Sequence, residues 1–114
     1  MNANGTARAY MAKGMNAMDF LNYVLNCIDR ELKEWGFETA NTLVRGNTIN
    51  DYIIALKINH KDHFININLQ TVKNLQTKGV YALDRLLWDV LKNNGIELKY
   101  DHYLETVYNI GGKH

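Results

Sequence analysis

The sequence has no proline, no serine, one cysteine and no long apolar run, and each absence removes a class of protein. Without serine there is no Ser–His–Asp hydrolase, and no nucleophile-elbow motif occurs elsewhere. The single thiol, Cys27, falls in a run with helical periodicity, where a small residue near the core is the ordinary role. One cysteine cannot close an intramolecular disulfide, which points to a reducing, cytoplasmic compartment. No apolar stretch reaches the roughly 18–20 residues of a membrane span, and the N-terminus lacks the apolar segment of a secretory leader, so no membrane association is expected. Glycines are not gathered at a helix start: Gly79 stands alone and Gly111–Gly112 lie at the end of the chain. No phosphate-cradling loop is therefore expected. An excess of either charge is missing too. Thirteen Lys and Arg against 12 Asp and Glu leave a net charge of +1, spread along the chain without a basic block, so composition gives no nucleic-acid footprint.

What remains is the composition of a globular domain. A chain of 114 residues, 46% hydrophobic and 22% charged, is long enough to bury one core and too short for two. Fifteen asparagines, with many Ile, Lys, Tyr and Met residues and no proline, match the usage of AT-rich coding DNA, as in low-GC bacteria and their phages.

Residues 1–14 are small and polar without sustained periodicity, and are expected to form a flexible N-terminal tail ahead of a single domain over 15–114. An arm that orders on a partner through Arg8, Tyr10 and Lys13 is the alternative. From Met18 the apolar residues Leu21, Leu25, Ile28, Leu32 and Trp35 follow in steps of three and four, the stripe of an amphipathic helix over about 17–35. Asn16 is placed to cap it, and Gly36 with Phe37 to end it. Tyr52, Ile54, Leu56 and Ile58, then Ile65, Ile67 and Leu69, alternate around His60–His63 and predict a β-hairpin. With those four residues as the loop, Ile58 faces Ile65, Leu56 faces Ile67 and Ile54 faces Leu69. Thr42 to Gly46 supplies a third strand. Leu83, Leu86, Leu87, Val90 and Leu91 mark a second helix over about 80–94, stopped at Asn94 and Gly95. The segment 96–110, rich in Tyr, Thr and Val, favours one or two final strands, with a helix as the alternative. The predicted fold class is α+β, two amphipathic helices on one face of a small antiparallel sheet in the order α-β-β-β-α-β(β).

His60 and His63 flank Asp62 in an H-x-D-H loop. A zinc site needs three or four converging ligands, and Asp101, His102 or His114 complete the set only if the C-terminal segment lies beside the hairpin tip. Two solvated turn histidines are the ordinary outcome, so no metal and no cofactor is expected. The carboxylates Asp29 and Glu31, and Asp84 and Asp89, sit among basic neighbours and are expected to solvate helix faces. No catalytic residue is identified, and the chain is not expected to be an enzyme.

Candidate binding residues fall in two groups. The outward face of the hairpin carries Ile53, Lys57, Phe64, Asn66 and Asn68, apolar anchors amid amides, suited to docking another protein. Tyr100, Tyr103 and Tyr108, with His102, form an aromatic cluster of the kind found at interfaces. The helix–strands–helix order is similar in outline to double-stranded-RNA-binding domains and to small secretion chaperones. The second helix, however, opens on residues 77–85 without the lysine cluster the former uses on phosphates. The expected function is a non-enzymatic protein-binding module, a phage or mobile-element accessory protein that inhibits or adapts a host protein. Its partner is another protein or a second copy of itself. The competing expectation is a nucleic-acid-binding regulator using Arg8, Lys13, Arg45, Lys57 and Lys61.

Overall fold

The structure, a computed structural model, describes residues 5–110. Two helices come first, α1 (Gly5–Gly14) and α2 (Ala17–Glu34), followed by three strands, β1 (Thr39–Arg45), β2 (Asp51–Ile58) and β3 (Lys61–Asn68). Three further helices complete it: α3 (Leu69–Lys78), α4 (Ala82–Asn93) and α5 (His102–Tyr108). The strands form one antiparallel sheet in the order β1-β2-β3. The α+β class is therefore as expected, and several elements are not.

Helix α2 forms where its stripe puts it. The Asp19 N–H donates to the Asn16 side chain at 2.8 Å, Gly36 takes φ 94°, and the Phe37 N–H donates to the Leu32 carbonyl at 3.0 Å. These are the side-chain N-cap and the left-handed C-terminal glycine that satisfy the otherwise unpaired ends of a helix. Helix α4 stops in the same way, with Gly95 at φ 96° and the Ile96 N–H on the Leu91 carbonyl. Phe20, Leu21, Ile28 and Leu32 of α2 meet Leu83, Leu87, Trp88 and Leu91 of α4 and Ile54, Leu56, Ile58, Ile65 and Ile67 of the sheet in one buried core.

The hairpin is tighter than expected. Its turn is Asn59–His60, with φ 49° and 70°, and Ile58 pairs Lys61, Leu56 pairs His63 and Ile54 pairs Ile65. Positive φ at both central residues is the conformation of the two-residue turn whose twist matches the strands, and Asn and His tolerate it better than most side chains. The predicted inward residues remain inward, because moving the pairing by an even number of residues preserves the face.

Three assignments are corrected. The expected flexible tail is helix α1 over its described part, and residues 1–4 lie outside the described residues. Leu69, read as strand, begins α3, which Asn68 caps by accepting the Gln70 N–H at 2.8 Å. No final strand forms among the described residues. Asp101 accepts the Leu104 N–H at 3.0 Å and starts α5, which buries Tyr103, Leu104 and Val107.

Candidate protein-docking surface

Among the described residues, helices cover one face of the sheet and leave the other open. On the other, the cross-strand register lines up Val44, Ile53 and Asn66 in one row, Thr42, Ala55 and Phe64 in the next, and Ala40, Lys57 and Asp62 in a third. Strand alternation produces this surface: the residues between the buried Ile54, Leu56, Ile65 and Ile67 must point the other way. Phe64 on β3 is 67% exposed and Val44 on β1 48%, so open apolar side chains flank the half-buried Ile53 and Ala55 of the central strand. Lys57 Nζ lies 3.7 Å from Asp62 Oδ1, a solvated pair that adds little energy and neutralises that corner.

At the opposite end the face runs into a cleft of about 490 Å³ lined by Asn47, Asp51, Ile53, Asn66, Asn68 and Thr71. Gly46 makes the close approach that shapes it. Its N–H donates to the Asp51 carbonyl at 2.7 Å, and a Cβ there would lie 2.9 Å from the Asp51 side chain and 3.1 Å from its main chain. Asn68 Nδ2 donates to Asp51 Oδ1 at 2.6 Å. That bond and those from Thr48 hold the Asp51 carboxyl below its ordinary range.

Five of the sequence-predicted residues, Ile53, Lys57, Phe64, Asn66 and Asn68, thus share one face, although Asn68 is engaged as a helix cap. The tyrosine cluster does not assemble. Tyr103 is 1% exposed and its hydroxyl donates to Asp84 Oδ2 at 2.5 Å, which removes it from any docking surface. Tyr100 and Tyr108 stay together edge to face at 5.9 Å, with the Tyr108 hydroxyl on Asp89 Oδ1 at 2.8 Å.

The histidines of the H-x-D-H segment part company. His60 is exposed beside Glu38 at 3.5 Å, whereas His63 points inward with a buried Nε2 that has no hydrogen-bond partner. Burial first, and then Lys61, lower the His63 pKa. The alternative completing ligand His114 lies outside the described residues. The one carboxylate group among the described residues with ligand atoms within 4.8 Å of one another is Glu31, Glu34 and Asp101. Burial, reinforced by the neighbouring Asp101, pushes Glu31 up to about 8.

Sequence reasoning missed a buried polar network. Arg8 of α1 makes a bidentate pair with Asp84 of α4 at 2.5 and 2.9 Å and donates to the Val80 carbonyl at 3.1 Å. It lies 4.6 Å from the Tyr81 ring centroid and 5.1 Å from that of Tyr23. Trp88 Nε1 donates to the Tyr103 hydroxyl at 3.2 Å, and the Cys27 Sγ accepts from Arg8 at 3.6 Å. Although burial opposes it, the hydrogen bond to Asp84 holds Arg8 charged more firmly than usual. Asp84 and Glu31, read as solvated helix carboxylates, are both fully buried.

No protein-family model, curated protein or solved structure matches the chain. Among the described residues no helix is long and apolar enough to cross a membrane.

Proposed function

We propose that the chain is a non-enzymatic protein-binding module that docks its partner on the open face of the sheet, as a phage or mobile-element accessory protein that inhibits or adapts a host protein. The observation that carries this reading is Phe64. A large aromatic side chain stands 67% exposed at the end of a row with Ala55 and Thr42, beside Ile53 and Val44, on rigid paired strands. Interfaces draw most of their affinity from a few large anchors of this kind, with polar groups around them. Asn66, Lys57 and Asp62 occupy the rim here.

The nucleic-acid reading loses support from the same geometry. Arg8 is buried against Asp84, Lys57 is beside Asp62, and among the described residues Phe64 is the one aromatic on its face, where single-strand binders use several.

The test is capture from lysate of a low-GC bacterium by wild-type protein and by Phe64→Asp and Ile53→Asp variants, with nuclease-treated and high-salt arms. The reading expects a stoichiometric protein that survives both treatments and is lost with either variant while circular dichroism stays unchanged. For the identified partner, Phe64→Ala should weaken binding by about 2 kcal/mol, roughly thirtyfold. A protein captured equally by all variants, or nucleic acid that washes off with salt, would refute it.

A further inference from the structure

The outermost strand β1 has a free side whose parity is fixed by the ladder on its other side. The Gly46 N–H donates to the Asp51 carbonyl and the Asn59 N–H to the Glu38 carbonyl. Both pairs belong to the series 44/53, 42/55 and 40/57 of the β1–β2 register. In an antiparallel ladder the residues of such pairs exchange their main-chain hydrogen bonds, and the residues between them direct N–H and C=O the other way. Thr39, Asn41, Leu43 and Arg45 therefore present their main-chain groups on the open edge. Among the described residues no other element supplies a hydrogen bond to them.

Natural sheets guard such edges with proline, lysine, bulges or a covering segment. Residues 39–45, TANTLVR, have none of these, and their one charge is at the end. The other edge, β3, opens on Lys61–Asp62 and passes directly into α3.

We infer that the occupant of this edge is β1 of a second copy, paired antiparallel about a two-fold axis at Thr42 to make one continuous six-stranded sheet. The two ends of the strand complement each other. Beside its N-terminal end lies the Asp29 carboxylate, which accepts from the Thr39 hydroxyl and pairs with Lys33 at 2.9 Å in a half-exposed bridge that a second cation can share, and its C-terminal end carries Arg45, whose one hydrogen bond to a described residue is to the Tyr52 hydroxyl at 3.2 Å. A two-fold at Thr42 sets Arg45 of each copy opposite Thr39 of the other and so beside its Asp29, while Asn41 meets Leu43. Every open main-chain group of residues 39, 41, 43 and 45 is then satisfied. Shifting the axis to Asn41 or Leu43 leaves a terminal residue unpaired and separates the charges. On the outer face Val44 meets Ala40 and Thr42 meets Thr42, as non-hydrogen-bonded pairs with close side chains. The outer face itself stays uncovered, so this dimer stands or falls independently of the docking reading.

The full chain should sediment as a dimer that dissociates on dilution. Thr42→Lys sets like charges face to face at the axis from an exposed position, and Arg45→Glu sets an acid beside Asp29. Each should raise the dissociation constant on the order of tenfold or more. Register is read separately. Under oxidising conditions Thr42→Cys should cross-link to a covalent dimer, because residues opposed across a non-hydrogen-bonded pair fall within disulfide reach. Ala40→Cys, opposite Val44, should not cross-link. A chain monomeric at all accessible concentrations, or a dimer indifferent to Thr42→Lys and not cross-linked through Thr42→Cys, would overturn the inference.

Discussion

Arg8 and Asp84 are each almost wholly withdrawn from water, with side-chain exposures of 4% and 0%. A pair of this kind contributes less than its distances suggest, since desolvation opposes the Coulomb attraction, but removing one member strands the other charge in the core. Asp84→Ala or Arg8→Ala should each lower unfolding free energy by about 3–5 kcal/mol, measured by urea titration. The double variant should lose clearly less than the sum of the two, the mark of a direct pair. Local pattern places Asp84 on the stripe of α4, next to Leu83 and four residues before Trp88. What makes a carboxylate tolerable there is a guanidinium 76 positions away, and periodicity carries no information about so distant a partner. The same separation hid α1, whose own sequence shows little amphipathicity and whose buried residues are Arg8 and Ala12.

Among the elements, those with a long apolar stripe and a glycine stop, α2 and α4, were legible to within a few residues, and so was the alternation of β2 and β3 that creates the open face of the sheet. The short or polar ones were not. Helix α3 buries only Val72 and follows β3 without a break, so its N-cap Asn68 doubles as the last residue of a strand. Helix α5 draws on Tyr, Thr and Val, which favour strands, and is decided by the Asp101 cap and tertiary burial. The hairpin turn was obscured because its second central residue is His60 and not the usual glycine. His60→Gly should therefore stabilise the protein by up to about 1 kcal/mol, the strain of a left-handed side chain being relieved. A fall in thermal midpoint for that variant would contradict the turn geometry described above.

For the molecule as a whole, two buried titratable groups shape stability against pH from opposite sides. Glu31 binds its proton up to about pH 8 in the folded state against 4.5 for the free side chain. The folded chain then holds more protons than the unfolded one across that interval, so stability falls as pH rises through it. His63 titrates below its free value of 6.5, so its contribution is lost as pH falls beneath 6.5. Urea midpoints at fixed protein concentration should flatten between pH 4.5 and about 8 in Glu31→Gln. They should flatten below pH 6.5 in His63→Leu, which also removes an unsatisfied buried nitrogen and should be the more stable chain. An unchanged slope between pH 4.5 and about 8 in Glu31→Gln would show that another group governs it. The long reach of the Arg8 pair has a consequence during synthesis. Arg8 leaves the ribosome 76 residues ahead of Asp84, and Tyr103, which bonds the same carboxylate, follows 19 residues later still. During synthesis the first helix can meet Tyr23 and Cys27 of α2, and then Gln76 of α3, before its charge partner exists, so the Arg8 guanidinium waits for Asp84 and the long-range pair closes late.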